Sequence, residues 1–379
     1  MKRSSERILT SHAGSLPRPD DVRALLAAKY AGEPHDTATF ADRVRAAVSD
    51  AVRKQIECRL DVVNDGELSK INFTSYAQER LGGVMRRKRE PGQPSFKIWG
   101  RDEAEFPEYF STINLGVDYA VCSGPLKYLG HEAVQTDIRN LKAALEGVTA
   151  AEAFITAVAP GTIEHWLKNE YYADEESYLA AIAEAMREEY RAIVEAGFIL
   201  QIDDPDLGDA WQIHPEMDVR AYRRFAELRI DVLNHALRGL ASDRIRFHMC
   251  WGSYHGPHKY DIPLEQIVDL VLKVNAECYS IEASNPRHEH EWRVWEKMKL
   301  PEGKTLMPGV VGHASDFVEH PELVAERLDK YAQLVGRNNV IAGTDCGLGT
   351  RVGHPKIAWA KFEAMAEGAR IASRQLWSA

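Results

Sequence analysis

The chain has little cysteine: five residues in 379, an odd count. So few thiols exclude a disulfide-stapled fold. They fit a reducing cytoplasm, where Cys beside His more often means metal binding or catalysis. No run of eighteen apolar residues occurs, so no membrane span is expected. The first residues, Met1-Lys2-Arg3-Ser4-Ser5-Glu6-Arg7, are charged, and no signal-type apolar stretch follows them. Positive charge is not in excess. Lys and Arg number 47 against 57 Asp and Glu, a net charge of -10, which argues against a nucleic-acid partner. The dense basic run Arg86-Arg87-Lys88-Arg89 reads as a solvated loop or an anion contact. No repeat, low-complexity tract or linker-like stretch divides the sequence, so residues 1–379 read as a single domain.

What is present is an alternation. Hydrophobic residues make up 45% and charged residues 27%, ordinary for a globular chain able to bury a large core. Short β-branched runs at 8–14, 61–66, 153–160, 198–203, 245–250, 278–282, 306–311 and 340–344 predict strands. Helical periodicity predicts helices over 37–60, 136–145, 175–195, 219–237, 264–275, 321–335 and 354–375. Within the third of these, Leu179, Ile182, Ala183, Met186, Tyr190 and Ile193 recur at helical spacing, and Gly197 supplies the stop. Eight strands separated by helices predict an α/β fold, a (β/α)8 TIM barrel. The stretch from about 70 to 150 is too long for one crossover. Gly82-Gly83, Pro91-Gly92 and Pro94 punctuate it, and it predicts a β-hairpin and helix insertion after the second strand. Such an insertion covers the barrel mouth or serves as the arm of a homo-oligomer.

A (β/α)8 barrel places its active site at the C-terminal ends of the strands. Polar residues gather there: Ser15, Asp65, Glu67, Asp203, Asp204, His248, Cys250, Glu282, His313, Asp345 and Cys346. His248 and Cys250 are two apart on a strand and so face the same way. Glu282 follows about one βα unit later and Cys346 about two units after that. His, two Cys and Glu form a donor set that zinc accepts. Thiolate ligands suit activation of a substrate thiol for alkylation better than hydrolysis by a polarised water. Cys58, Cys122 and Cys278 read as small core residues.

The same residues carry a family resemblance. His248-Met249-Cys250, Ser280-Ile281-Glu282 and Asp345-Cys346-Gly347-Leu348 with Thr350-Arg351 resemble the zinc-site motifs of cobalamin-independent methionine synthase. Ala13-Gly14-Ser15-Leu16-Pro17, Asp65-Gly66-Glu67 and Gln201-Ile202-Asp203-Asp204-Pro205 are similar to three more of its motifs, in the same order. The resemblance is to the C-terminal catalytic barrel and to short stand-alone members, epoxyalkane:coenzyme M transferases included. It implies Zn2+ held by His248, Cys250, Glu282 and Cys346. It implies that Ser15, Glu67 and Asp203 hold the backbone of homocysteine, with Asp203 also in the catalytic machinery. It implies His313 as the acid that protonates a leaving group, and Trp166 as a stacking platform for the donor.

The expected activity is therefore transfer of a methyl or alkyl group to a small-molecule thiol held by zinc as thiolate, most simply S-methylation of homocysteine. The alternative is thiol alkylation by epoxide opening with coenzyme M. That acceptor needs a cation such as Arg287, Arg293 or Arg351 in the pocket and could use the histidine-rich loop 251–261 as a proton donor. A non-catalytic, zinc-stabilised protein is a further alternative, and a decarboxylase on the same barrel is disfavoured by the ligand set. Departures from the synthase pattern at Asp204, Trp251-Gly252, 283–290 and Thr344 lie on the electrophile side. They leave the donor open among methylfolate, a methyl-corrinoid and an epoxide.

Overall fold

The computed structural model describes residues 1–88, 100–113 and 118–378. The predicted turns at Pro91-Gly92 and Pro94 lie outside the described residues. Eleven strands occur among those described: β1 (Leu9–Thr10), β2 (Val62–Asn64), β3 (Leu81–Lys88), β4 (Asp118–Tyr128), β5 (Glu152–Val158), β6 (Leu167–Asn169), β7 (Ile199–Asp203), β8 (Ile245–Met249), β9 (Cys278–Ile281), β10 (Thr305–Val311) and β11 (Ile341–Thr344). Eight of them form one parallel sheet in the order β1-β11-β10-β9-β8-β7-β5-β2. Apart from the seam between β1 and β2, spatial neighbours are consecutive barrel strands. At that seam Asp61 N donates to Thr10 O (3.1 Å) and Ser11 Oγ to Val62 O (3.2 Å). The result is a nearly closed (β/α)8 barrel, as the alternation predicts.

Strand residues alternate between the helix layer and the barrel interior. Outward-facing residues such as Leu200, Ile202, Phe247 and Tyr279 join the large core shared with the helices. The interior floor is filled by Leu9, Met307, Ile341, Cys278, Val62, Phe154 and Ile199. Above it the filling turns polar. Arg246 is fully buried and donates to Gln201 Oε1 (2.7 Å), Ser11 Oγ (2.8 Å) and the His12 carbonyl (3.2 Å). This polar layer supports the site at the mouth.

The segment after β2 holds the hairpin β3–β4, paired antiparallel from Leu81↔Tyr128 to Lys88↔Asp118. Its sheet does not end with the insertion, because β6 joins β4 in parallel. Between the hairpin strands, short helices Gly100–Glu105 and Pro107–Phe110 lie over the loop that follows β8. Asp102 accepts from the backbone N–H groups of Lys259 (3.2 Å) and Tyr260 (3.0 Å) there. One predicted helix is broken up. Residues 264–275 form a 3-10 turn, Leu264–Gln266, and a four-residue helix, Val268–Val271, because Ile267 at φ -132 interrupts the helical path. Gly197 takes φ 92 at the end of its helix, where the sequence requires a glycine stop. No helix among the described residues is long and apolar enough to cross a membrane.

Candidate active site and metal centre

His248 at the end of β8, Cys250 just beyond it and Cys346 after β11 come together at the barrel mouth. Their ligand atoms lie within 4.8 Å of one another. The His248 ring is oriented by Nδ1, 3.0 Å from Ser280 Oγ on β9, which leaves Nε2 as a buried nitrogen with no hydrogen-bond partner. A second polar partner that fixes the ring is the usual companion of a metal-ligating histidine. The Cys250 thiol hydrogen-bonds to Cys346. That contact, with His248 on the other side, holds Cys346 well below the ordinary thiol range, while the same contact and burial push Cys250 up. An orphaned imidazole nitrogen and two thiols so close fit a soft divalent ion.

Glu282 stands in an adjoining group with His313 and Asp345, all three buried. Its Oε2 accepts from Trp251 N (3.1 Å) and its Oε1 from Asn285 Nδ2 (2.5 Å), with His313 Nδ1 3.9 Å away. Burial raises its pKa. Three of the four expected ligands therefore converge, and the fourth is held on the neighbouring loop. Asp345 is the residue that places that loop. Its Oδ1 accepts from Ala283 N and Ser284 N (2.8 Å each) and its Oδ2 from Ser284 Oγ (2.6 Å). The sequence marks Asp345 as polar, strand-terminal and part of the Asp345-Cys346-Gly347-Leu348 motif, with no hint that it ties β11 to the loop after β9.

A cavity of about 240 Å³ opens beside the thiols. Ser15, Glu67, Trp166 and Asp203 line it together with His248, Cys250 and Cys346, whereas Glu282 and His313 do not. Glu67 is buried and adopts φ 57, a left-handed backbone costly for a non-glycine residue. Glu67 N donates to Asp65 Oδ1 (3.0 Å) and Gly66 N to Asn64 Oδ1 (2.8 Å), which lock the turn. Gly14 makes room for it: a Cβ at that position would sit 2.5 Å from Glu67 Oε1. Asp203 accepts from Gln201 Nε2 (2.6 Å), and Gln201 in turn is held by Arg246. Burial lifts Asp203 to about 7. Ser15 Oγ and Arg18 Nε are buried polar atoms without partners, and both residues line the cavity. Nothing in the sequence marks Arg18, because an Arg between Pro17 and Pro19 looks like loop.

The histidine-rich loop is mostly structural. His258 Nδ1 (2.7 Å) and His288 Nε2 (3.0 Å) both meet Asp261 Oδ2, and Gln212 Nε2 donates to Asp261 Oδ1 (2.8 Å). Trp251 stacks on His288 at 3.8 Å, so the segment after Cys250 is anchored by this buried network. Arg351 lines the cavity, and Arg287 and Arg293 do not.

Comparison with known proteins agrees with this architecture. Residues 133–370 match the family described as cobalamin-independent synthase, catalytic domain. The chain is 26% identical to the methionine synthase of Saccharolobus solfataricus, covering 97% of this chain and 95% of that protein. It is 24% identical to the methionine synthase of Thermococcus kodakarensis, covering 97% and 94%. Among solved structures, a B12-independent methionine synthase from Shewanella sp. W3-18-1, in complex with selenomethionine, shares the fold with a TM-score of 0.75. The two are 22% identical, and 98% of this chain and 100% of that one are covered. The family matched over most of the chain, and the barrel that carries these residues, make this protein a member of the cobalamin-independent synthase catalytic-domain family.

Proposed function

We propose that the protein is a zinc-dependent methyltransferase that methylates the sulfur of homocysteine or a closely similar aminothiol. The observation that carries this reading is the meeting of His248, Cys250 and Cys346 beside a cavity lined by Glu67 and Asp203. His248, Cys250 and Cys346 would hold the metal, with Glu282 the adjoining carboxylate that could complete the set. Zinc bound there would lower the pKa of a coordinating thiol and supply it as thiolate near neutral pH.

The chain's own residues supply the recognition. Glu67 and Asp203 offer two buried carboxyl groups to an α-ammonium, and the arriving cation favours the ionised form of Asp203 that burial opposes. Ser15 Oγ and Arg18 Nε offer unused donors to an α-carboxylate. The same two carboxyl groups would repel a sulfonate, which supports an aminothiol over coenzyme M even though Arg351 reaches the cavity. The relatives that match nearly the whole chain are methionine synthases, which supports the same choice.

X-ray absorption at the zinc edge tests the reading. The zinc-loaded protein is expected to have two sulfur ligands, from Cys250 and Cys346, and to gain a third on adding homocysteine. An unchanged sulfur count with saturating homocysteine would remove the substrate thiol from the metal.

A further inference from the structure

We propose that the helix Asp206–Ile213 forms the donor side of the cavity, and that its two carboxyl groups select a donor whose methyl group rides on a permanently cationic atom, a sulfonium or a quaternary ammonium. This rests on the methyl-transfer reading of the site. Asp206 and Asp209 stand three residues apart, on one face of the helix, and both line the cavity that contains Cys250 and Cys346. They are only 3% and 6% exposed, yet Asp206 Oδ2 and Asp209 Oδ1 have no hydrogen-bond partner among the described residues. Buried carboxyl oxygens left unsatisfied are costly and ask for a ligand.

Asp206 is only partly answered: Thr162 and Trp166 hydrogen-bond to its carboxyl group, and the nearby Arg229 charge is shared with other acids. Arg229 is paired with Glu164 (2.8 Å) and Glu175 (2.7 Å). His165 Nδ1 lies 3.4 Å from Asp206, but burial pushes that imidazole down to about 4, so it stays neutral. The charged groups that act most strongly on Asp209 are Asp206, Asp261, Glu282 and Asp102, all acidic. Burial, with these neighbours, raises both carboxyl groups, Asp206 to about 7, and an onium ion would favour their ionised forms. Trp166 and Tyr254 also line the cavity, and aromatic faces beside carboxylates are the usual surroundings of onium ions.

The helix rests directly on the thiol-bearing segment. A Cβ on Gly208 would lie 2.7 Å from the Cys250 carbonyl, and one on Gly252 would lie 3.0 Å from the Asp209 carboxyl. The carboxyl groups therefore border the space into which a thiolate at Cys250 and Cys346 would attack. In the transfer, the thiolate's electron pair forms the new S–CH3 bond. The bond from methyl to the onium atom breaks, and its pair leaves on a neutral thioether or tertiary amine. One anion and one cation become two neutral products, and no proton is needed, consistent with His313 lying outside the cavity lining.

The experiment uses zinc-loaded protein with homocysteine and four donors: trimethylsulfonium, S-methylmethionine, glycine betaine and 5-methyltetrahydrofolate. Methylated product is read by mass spectrometry, and proton release on thiol addition is followed in parallel. At least one onium donor is expected to be used in preference to the folate. Choline is expected to inhibit about tenfold more strongly than its neutral isostere 3,3-dimethylbutan-1-ol. Asp206→Asn and Asp209→Asn should each erase that choline preference while proton release on thiol addition stays intact. Folate turnover with all three onium ions idle, or equal inhibition by choline and its isostere, would overturn the donor assignment and leave the thiol reading standing. Loss of proton release in the wild-type protein would overturn the thiol reading itself, and the donor proposal with it.

Discussion

Replacing the thiols tests the metal assignment one residue at a time. Cys250→Ser and Cys346→Ser are each expected to lose stoichiometric zinc and to reduce methyl transfer by about 100-fold or more, with the far-ultraviolet circular dichroism of the barrel unchanged. Full turnover by either variant after chelation would contradict the assignment. His313→Asn is expected to keep its metal. With an onium donor its single-turnover rate should stay close to wild type, because no proton has to reach the leaving group. A fall of about 100-fold would return His313 to the acid role its motif implies and would favour an amine donor. At this scale much of the site was legible. His248 and Cys250 share a strand face, and strand ends converge by the geometry of the barrel. Asp206 and Asp209 were not legible, because acids in the first turn of a helix ordinarily serve its dipole and face water. Only the fold reveals that this first turn is pressed against Gly252.

At the scale of elements, β7 delivers three buried acids in succession: Asp203 at its end, then Asp204 and Asp206, each lifted to about 7 chiefly by burial. The folded protein therefore holds protons on these groups that the unfolded chain releases near 3.8. Their contribution to stability is fully present below the unfolded value and is lost as pH rises from about 4 through about 7. Asp204 is the cleaner probe, since its Oδ1 accepts from Thr162 Oγ1 (3.0 Å) and the residue does not line the cavity. Asp204→Asn is expected to flatten the decline of the metal-free protein's melting temperature over that interval. An identical slope in the variant would mean that Asp204 titrates at its ordinary value in the fold. The strands were readable from their β-branched runs, and most helices from their period. The helix Asp206–Ile213 was hidden by its eight-residue length, its Pro205 start and its internal Gly208, all of which read as loop. The expected helix over 264–275 carries the right pattern, but tertiary packing divides it at Ile267.

For the molecule as a whole, the barrel supplies thiols and imidazole from strands far apart in sequence, and the segment after β2 covers one side of the mouth. Phe106, Phe110 and Ile113 from that segment pack with Tyr254 and Trp166, so the aromatic side of the cavity is built from three separate stretches of chain. Sequence alone placed an insertion there. It could not give this joint construction, which depends on contacts more than a hundred residues apart. A substrate thiol that becomes a thiolate on zinc must give up its proton. Adding homocysteine to the zinc-loaded protein in weak buffer near pH 7 should release about one proton per site more than the metal-free protein releases. Binding of homocysteine with no more proton release from the zinc-loaded than from the metal-free protein would rule out thiolate formation at the metal.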